Sequence, residues 1–229
     1  MTGQAYTPAE AIAYQHELRA KLNITQLDRE VSVIGGADIS FNKYSDVIYA
    51  AIVLFSYPDL KMIGNASVIT KTDFPYIPGL LGFREVPAIT EVWNKLEIKP
   101  DVMIFDGQGI AHPRRLGIAT HFGIVNKVVT FGCAKSVLVG RYEEPLNEPL
   151  AWSPMYHEDE EVGAALRTKK NCKPVYISPG NGINLEQSLG IIKNCVGSYR
   201  IPEPTRQAHL LVNQIRVKDG NPPPTLFDL

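Results

Sequence analysis

Two aspartates stand where they could hold a cation. Asp38 lies within an otherwise apolar run, Val31-Ser-Val-Ile-Gly-Gly-Ala-Asp-Ile-Ser-Phe41, and Asp106 closes the apolar segment 101–105. A carboxylate within a buried strand is costly unless it is paired or binds a cation. Taken singly, Asp38 reads as a turn or cap residue beside Gly35-Gly36, and Asp106 as the first residue of an Asp-Gly turn. If the two strands are neighbours, both carboxylates can face one edge, and Glu85 on the intervening helical segment can supply a third. Three converging carboxylates do not all stay ionised without a cation. Hard oxygen ligands suit Mg²⁺ or Mn²⁺. Such a centre polarises a phosphoryl oxygen and activates water, which is the logic of metal-dependent phosphodiester hydrolysis. Spacing alone makes this a weak signal, because many folds place three acids in a cleft.

The run Asp106-Gly-Gln-Gly-Ile-Ala-His112-Pro-Arg114-Arg115 is less common. Two glycines after a strand let the backbone approach a ligand closely. His112 and two arginines follow at once, so the loop reads as substrate-facing, with arginines contacting phosphate, rather than as a solvated basic corner. It has neither Walker nor dinucleotide-binding spacing. Phe74-Pro-Tyr-Ile-Pro-Gly79 reads first as a rigid turn. A stiff loop with an aromatic tip can also wedge into a base stack. Lys135, after a buried strand, can neutralise a phosphate. His209 on its own is an ordinary helical histidine, and the acidic run 157–161 is a solvated face.

These groups need elements to position them. Residues 8–22 predict an amphipathic helix, and strands are expected over 31–41, 47–56 and 60–70, with short links that favour antiparallel pairing. Residues 78–96 carry helical spacing with a break or kink at Pro87. Then follow a strand over 101–105, a helix over 115–125, a strand over 128–132, an irregular stretch over 137–170 and a strand over 175–178. A helix over 184–196 is capped by Asn184, and a last helix spans 205–217. The order predicts an α/β fold: an antiparallel three-strand meander followed by parallel strands in one mixed sheet, with helices on both faces. The 229 residues read as a single domain, with a short tail from about 220.

Composition excludes little else. Hydrophobic residues make up 45% and charged residues 21%, an ordinary globular balance. Net charge is −1, which neither supports nor excludes a nucleic-acid partner. Three cysteines without a CxxC fit free thiols in a reducing compartment, so a cytoplasmic chain without a membrane anchor is expected, with Cys133 buried and inert.

As a set, the motifs resemble the endonuclease V family. They are Gly-Ala-Asp38, Pro75-Tyr-Ile-Pro-Gly79, Phe83-Arg-Glu85, Phe105-Asp-Gly-Gln-Gly-Ile-Ala-His-Pro113, Ala134-Lys-Ser136, Val175-Tyr-Ile-Ser-Pro-Gly180 and Pro204-Thr-Arg206 leading to His209. The resemblance implies a ribonuclease-H-like fold and cleavage of the second phosphodiester bond 3′ to inosine in DNA, with RNA as an alternative substrate. It implies Asp38, Glu85 and Asp106 as ligands of Mg²⁺ (or Mn²⁺), with Lys135 and His209 as further active-site groups. Tyr76 matches the tip of the family's wedge. Pro78, Gly79, Leu81, Gly107, His112 and Gly117 match the surroundings of an everted base. Arg114, Arg115 and the lysines at 169, 170 and 173 are expected on the nucleic-acid backbone, with affinity falling as salt rises. The expected enzyme is a monomer. Two positions depart from the family pattern: Val86, where a glycine is expected, and Cys133, where valine is common. The rival readings are an inosine-specific endoribonuclease, a non-catalytic hypoxanthine binder and a generic Mg²⁺ phosphatase; the last gives the wedge-like loop no task.

Overall fold

The apolar run from residue 33 to 56 folds back on itself as two antiparallel strands, β1 (Val33–Ser40) and β2 (Val47–Ser56), and β3 (Met62–Lys71) pairs on the far side of β2. The structure, a computed structural model, describes residues 6–42 and 45–220. The expected meander is therefore present. On the other side of β1, β4 (Val102–Phe105) runs parallel to it, and β5 (Thr130–Ala134) runs parallel to β4.

The remaining strands differ from expectation. β6 (Arg141–Tyr142), β7 (Trp152–His157), β8 (Glu160–Leu166) and β9 (Val175–Asn181) are all antiparallel to their neighbours, and they complete a sheet of order β3-β2-β1-β4-β5-β9-β8-β7-β6. The stretch 137–170 thus holds three strands rather than being irregular throughout, and the parallel part of the sheet is confined to β1, β4 and β5. The expected strand over 175–178 continues through Pro179 and Gly180, with a register shift where Thr130 and Phe131 meet it.

Five helices flank the sheet among the described residues: α1 (Pro8–Arg19), α2 (Leu81–Lys95), α3 (Ile118–Asn126), α4 (Leu185–Asn194) and α5 (Glu203–Lys218). Alternation along the central strands divides the core. Ile34, Val53, Val102, Ile104 and Phe131 pack with Leu189 and Ile192 of α4 and Ala208 of α5. Ile48, Ile52, Met103 and Phe105 pack with Ile89 and Val92 of α2 and Phe122 of α3 on the opposite face. Pro87 lies on the exposed side of α2, which continues past it. α3 starts at Ile118 rather than 115, because Arg115 takes a left-handed φ of 56° and Gly117 becomes the N-cap.

One contact sets the position of α5. A Cβ built on Gly36 would lie 2.1 Å from the carbonyl oxygen of Pro204, so a side chain there would collide with the first turn of α5. Glycine at 36 lets α5 lie directly on β1, which carries His209 over Asp38. The expected tail from about residue 220 falls outside the described residues. Among these residues, no helix is long and apolar enough to cross a membrane.

Candidate active site

The parallel register of β1 and β4 brings the two aspartates together. Ala37 is paired with Phe105, and the Asp106 N–H donates to the Ala37 carbonyl at 3.0 Å. Asp38 and Asp106 therefore stand side by side at the ends of adjoining strands. Asp38 is held on both oxygens: Oδ1 accepts from the Ile39 N–H at 2.9 Å, and Oδ2 accepts from His209 Nδ1 at 2.8 Å. Asn213, one turn further along α5, donates to His209 Nε2 at 3.0 Å, which gives the ring a defined tautomer. Lys135 leaves the end of β5, and its ammonium pairs with Asp106 Oδ2.

Donor atoms of Asp38, Asp106 and His209 all lie within 4.8 Å of one another. Glu85, expected as the third carboxylate of the set, stands outside this tightest group. It reaches in from α2, which packs on the opposite face of the sheet, and so approaches past the strand ends. It remains within electrostatic range. Desolvation, then the charge of Asp38, pushes the Glu85 carboxyl up to about 8 against the pull of Arg84, and Asp106 adds to the rise. The Asp106 carboxyl is likewise raised by desolvation and by Asp38, opposed by Lys135 and His209. The cluster thus gathers more negative charge than its surroundings neutralise. With its hard oxygen donors, it fits a divalent cation such as Mg²⁺ or Mn²⁺.

A cavity of about 470 Å³ adjoins these groups. Tyr76, Pro78 and Gly79 line it from the loop before α2, and Leu81 from the helix's first position. Gly107, Gln108, His112 and Gly117 line it from the loop after β4, and Glu85, Asp106 and Lys135 belong to the same wall. Asp38 and His209 are not in the lining and adjoin it through Asp106. The Tyr76 ring is 38% exposed and lies 6.2 Å from that of Phe41. His112 is buried, and its Nδ1 accepts from the Arg114 N–H at 3.2 Å. Desolvation, then the charge of Arg114, pushes its imidazole down to about 4, so the ring is neutral.

Of the two arginines of this loop, Arg115 is buried and ion-paired within the protein, contrary to expectation, whereas Arg114 is half-buried and engaged through Nε and Nη2. Arg114 donates to the Gly79 carbonyl at 2.7 Å and pairs with Gln15. Arg115 is buried, bonded to Glu160 Oε2 at 2.7 Å, the His112 carbonyl at 3.0 Å and the His157 carbonyl at 3.1 Å. Part of the acidic run 157–161 is therefore an anchor as well as a solvated turn. Lys170 and Lys173 are exposed, and Arg200 ties the Lys173 and Lys135 carbonyls together, each at 2.8 Å. Cys133 is buried, as expected, with burial raising its thiol beyond the ordinary range.

Some residues of the site escaped sequence reasoning. Gln108 donates to the Ser136 carbonyl at 2.9 Å, joining the loop after β4 to the Lys135 segment, while its buried Oε1 has no partner among the described residues. Its place in the Asp-Gly-Gln-Gly run was the available signal. Asn213 was signalled by its four-residue spacing from His209. Gln15 had no signal at all.

The family model described as Endonuclease V matches residues 16–210. The chain belongs to the endonuclease V family. An endonuclease V from Trichormus variabilis is 42% identical over 208 residues, covering 90% of this chain and 94% of the relative. That of Dictyoglomus turgidum is 47% identical over 201 residues, covering 88% of this chain and 87% of the relative. The crystal structure of the Streptomyces avermitilis endonuclease V superposes with a TM-score of 0.90 at 33% identity, covering 96% of this chain and 97% of that one. The Ciona intestinalis endonuclease V, solved with a 24mer DNA containing an inosine followed by a ribo-adenosine, gives a TM-score of 0.80 at 27% identity, covering 92% and 98%.

Proposed function

We propose that the protein is a metal-dependent endonuclease that cuts the second phosphodiester bond 3′ to an inosine in DNA and leaves the base in place. The observation that carries this reading is that the carboxylate cluster and the cavity share a wall, since Glu85 and Asp106 line the cavity while Asp106 also belongs to the cluster. A base everted into the cavity therefore brings its own strand to the carboxylates. The Ciona relative, solved with inosine-containing DNA, supports the choice of ligand. Hypoxanthine carries a carbonyl where adenine carries an amine, so a backbone N–H in the cavity wall would select it; the Gly107 and Gly117 N–H groups are already bonded to the Phe105 and Gly109 carbonyls, which leaves the Gly79 stretch as the candidate donor.

Within this reading, Asp38, Asp106 and Glu85 would hold Mg²⁺, or Mn²⁺ in its place. The ion would supply Lewis-acid stabilisation of the phosphate and a nucleophile at neutral pH. His209, fixed by Asn213, orients Asp38. Lys135 keeps a positive charge beside Asp106 and offers it to the phosphate. Tyr76, on a loop stiffened by Pro75 and Pro78, fills the space that the everted base leaves. The strand order, a meander followed by two parallel strands, supports a ribonuclease-H-like fold acting as one domain.

Denaturing-gel cleavage of a labelled single-inosine DNA tests the reading, run with Mg²⁺, with EDTA and beside an adenine control. The expected result is one Mg²⁺-dependent cut, one nucleotide beyond the inosine's own 3′ linkage, that disappears in Asp106→Ala. Absence of cutting on both DNA and RNA by a folded protein overturns it. Cutting of RNA alone moves the activity to a ribonuclease.

A further inference from the structure

A glutamine in the middle of α1 points inward. Ala11, Gln15 and Leu18 form the buried stripe of this helix, and Gln15 is 1% exposed. A buried carboxamide needs partners of both kinds. Gln15 Nε2 donates to the Gly79 carbonyl at 2.9 Å, and its Oε1 accepts from Arg114 Nε. Arg114 Nη2 donates to the same Gly79 carbonyl at 2.7 Å, which closes a triangle.

Gly79 ends the Tyr76 loop with a left-handed φ of 79° and lines the cavity, as Gln15 does not. Its carbonyl accepts from both Gln15 and Arg114, and the His112 imidazole reaches it as well. Around the triangle, Ala11 and Tyr14 of α1 pack with Phe74, Ile77 and Leu80 on either side of the same loop. A carboxamide suits this place because it is neutral and presents a donor and an acceptor at once; glutamate lacks the donor and leucine lacks both. Gln15 also lies outside the matched segment, which starts at residue 16.

We propose that Gln15 is a positioning residue for base binding: by bridging Gly79 and Arg114 from behind, it sets the Tyr76 loop and the adjoining cavity wall without touching the substrate. This rests on the reading of the cavity as the pocket for an everted base. It predicts an effect on binding and none on the carboxylate cluster, because no member of that cluster contacts the triangle.

The test compares Gln15→Leu, Gln15→Glu and Leu18→Ala with the wild-type chain on a single-inosine DNA in Mg²⁺. Both Gln15 variants should raise KM about tenfold, the effect of one or two lost buried hydrogen bonds, with kcat within about twofold. Leu18→Ala loosens the same helix but leaves the amide in place, so it should lower Tm without that KM rise. Amide hydrogen exchange of residues 74–80 should quicken in Gln15→Leu. Wild-type KM in either Gln15 variant overturns the proposal, as does an equal KM rise in Leu18→Ala. A wild-type chain that neither binds nor cuts the inosine strand overturns the reading of the pocket. Hydrogen exchange then still decides the brace, and unchanged exchange over 74–80 overturns it as well.

Discussion

The carboxylate cluster and the adjoining cavity share a wall but are built by different means. The cluster stands on strand ends: the parallel register of β1 and β4 puts Asp38 beside Asp106, and α5 resting on Gly36 brings His209 over them. Regular backbone hydrogen bonds fix these positions, so few side chains are spent on support. Much of the cavity wall comes from two loops that have no ladder, and the start of α2 and the segment 134–138 complete it. Buried polar groups hold it instead: Gln15 and Arg114 on Gly79, Arg115 on Glu160 and His157, Gln108 on Ser136. Chemistry placed on a sheet inherits the sheet's rigidity, whereas recognition placed on loops needs its own bracing.

That contrast can be broken at four points. Asp38→Asn should cut single-turnover cleavage by about a thousandfold, while inosine binding persists and Tm does not fall, because a repelling charge has left the cluster; loss of binding in parallel would join the two regions. Gly36→Ala should cost about 3 kcal/mol, the scale of overpacking, and should impair cleavage by lifting α5, as urea unfolding beside a cleavage assay would register. Arg115→Leu should cost about 2 kcal/mol yet leave the slope of log affinity against log salt unchanged; a shallower slope would restore Arg115 as a phosphate contact.

The smallest effect is on pH. Desolvation above all pushes His112 and His121 down to about 4 from an ordinary 6.5, with the charge of Arg114 second for His112 and the neighbouring His112 second for His121. The unfolded chain therefore takes up protons that the folded chain refuses. Stability is complete above about pH 6.5 and is lost as pH falls through 4, each histidine costing about 1 kcal/mol between pH 7 and 5.5. Tm measured across that window should decline, and His121→Asn should decline less steeply. Equal slopes would remove His121 from the account.

What could be read in the sequence follows the same division. The meander and the helices were legible because alternation and helical spacing are local signals, and the carboxylates were legible as acids within apolar runs. The segment 137–170 was not. Pro154 and the Gly163-Ala-Ala run carry little strand preference; β8 forms against β9, and β7 in turn against β8. Ser178-Pro-Gly reads as a stop, yet β9 passes through it against β5. Arg114 and Arg115 looked like phosphate ligands because charge is visible in a sequence and the partners that consume it are not. What spacing left open, the choice of base and the use of the Tyr76 loop, comes only as what the resemblance implies.

The hydrogen bond between His209 and Asp38 joins residues 171 positions apart. During synthesis the two aspartates can come together as soon as β4 emerges, but the imidazole of His209 follows 103 residues after Asp106. Until α5 docks on Gly36, the carboxylates have no histidine to orient them. The order of the chain thus keeps the His209 contact from the carboxylates until α5 has been made.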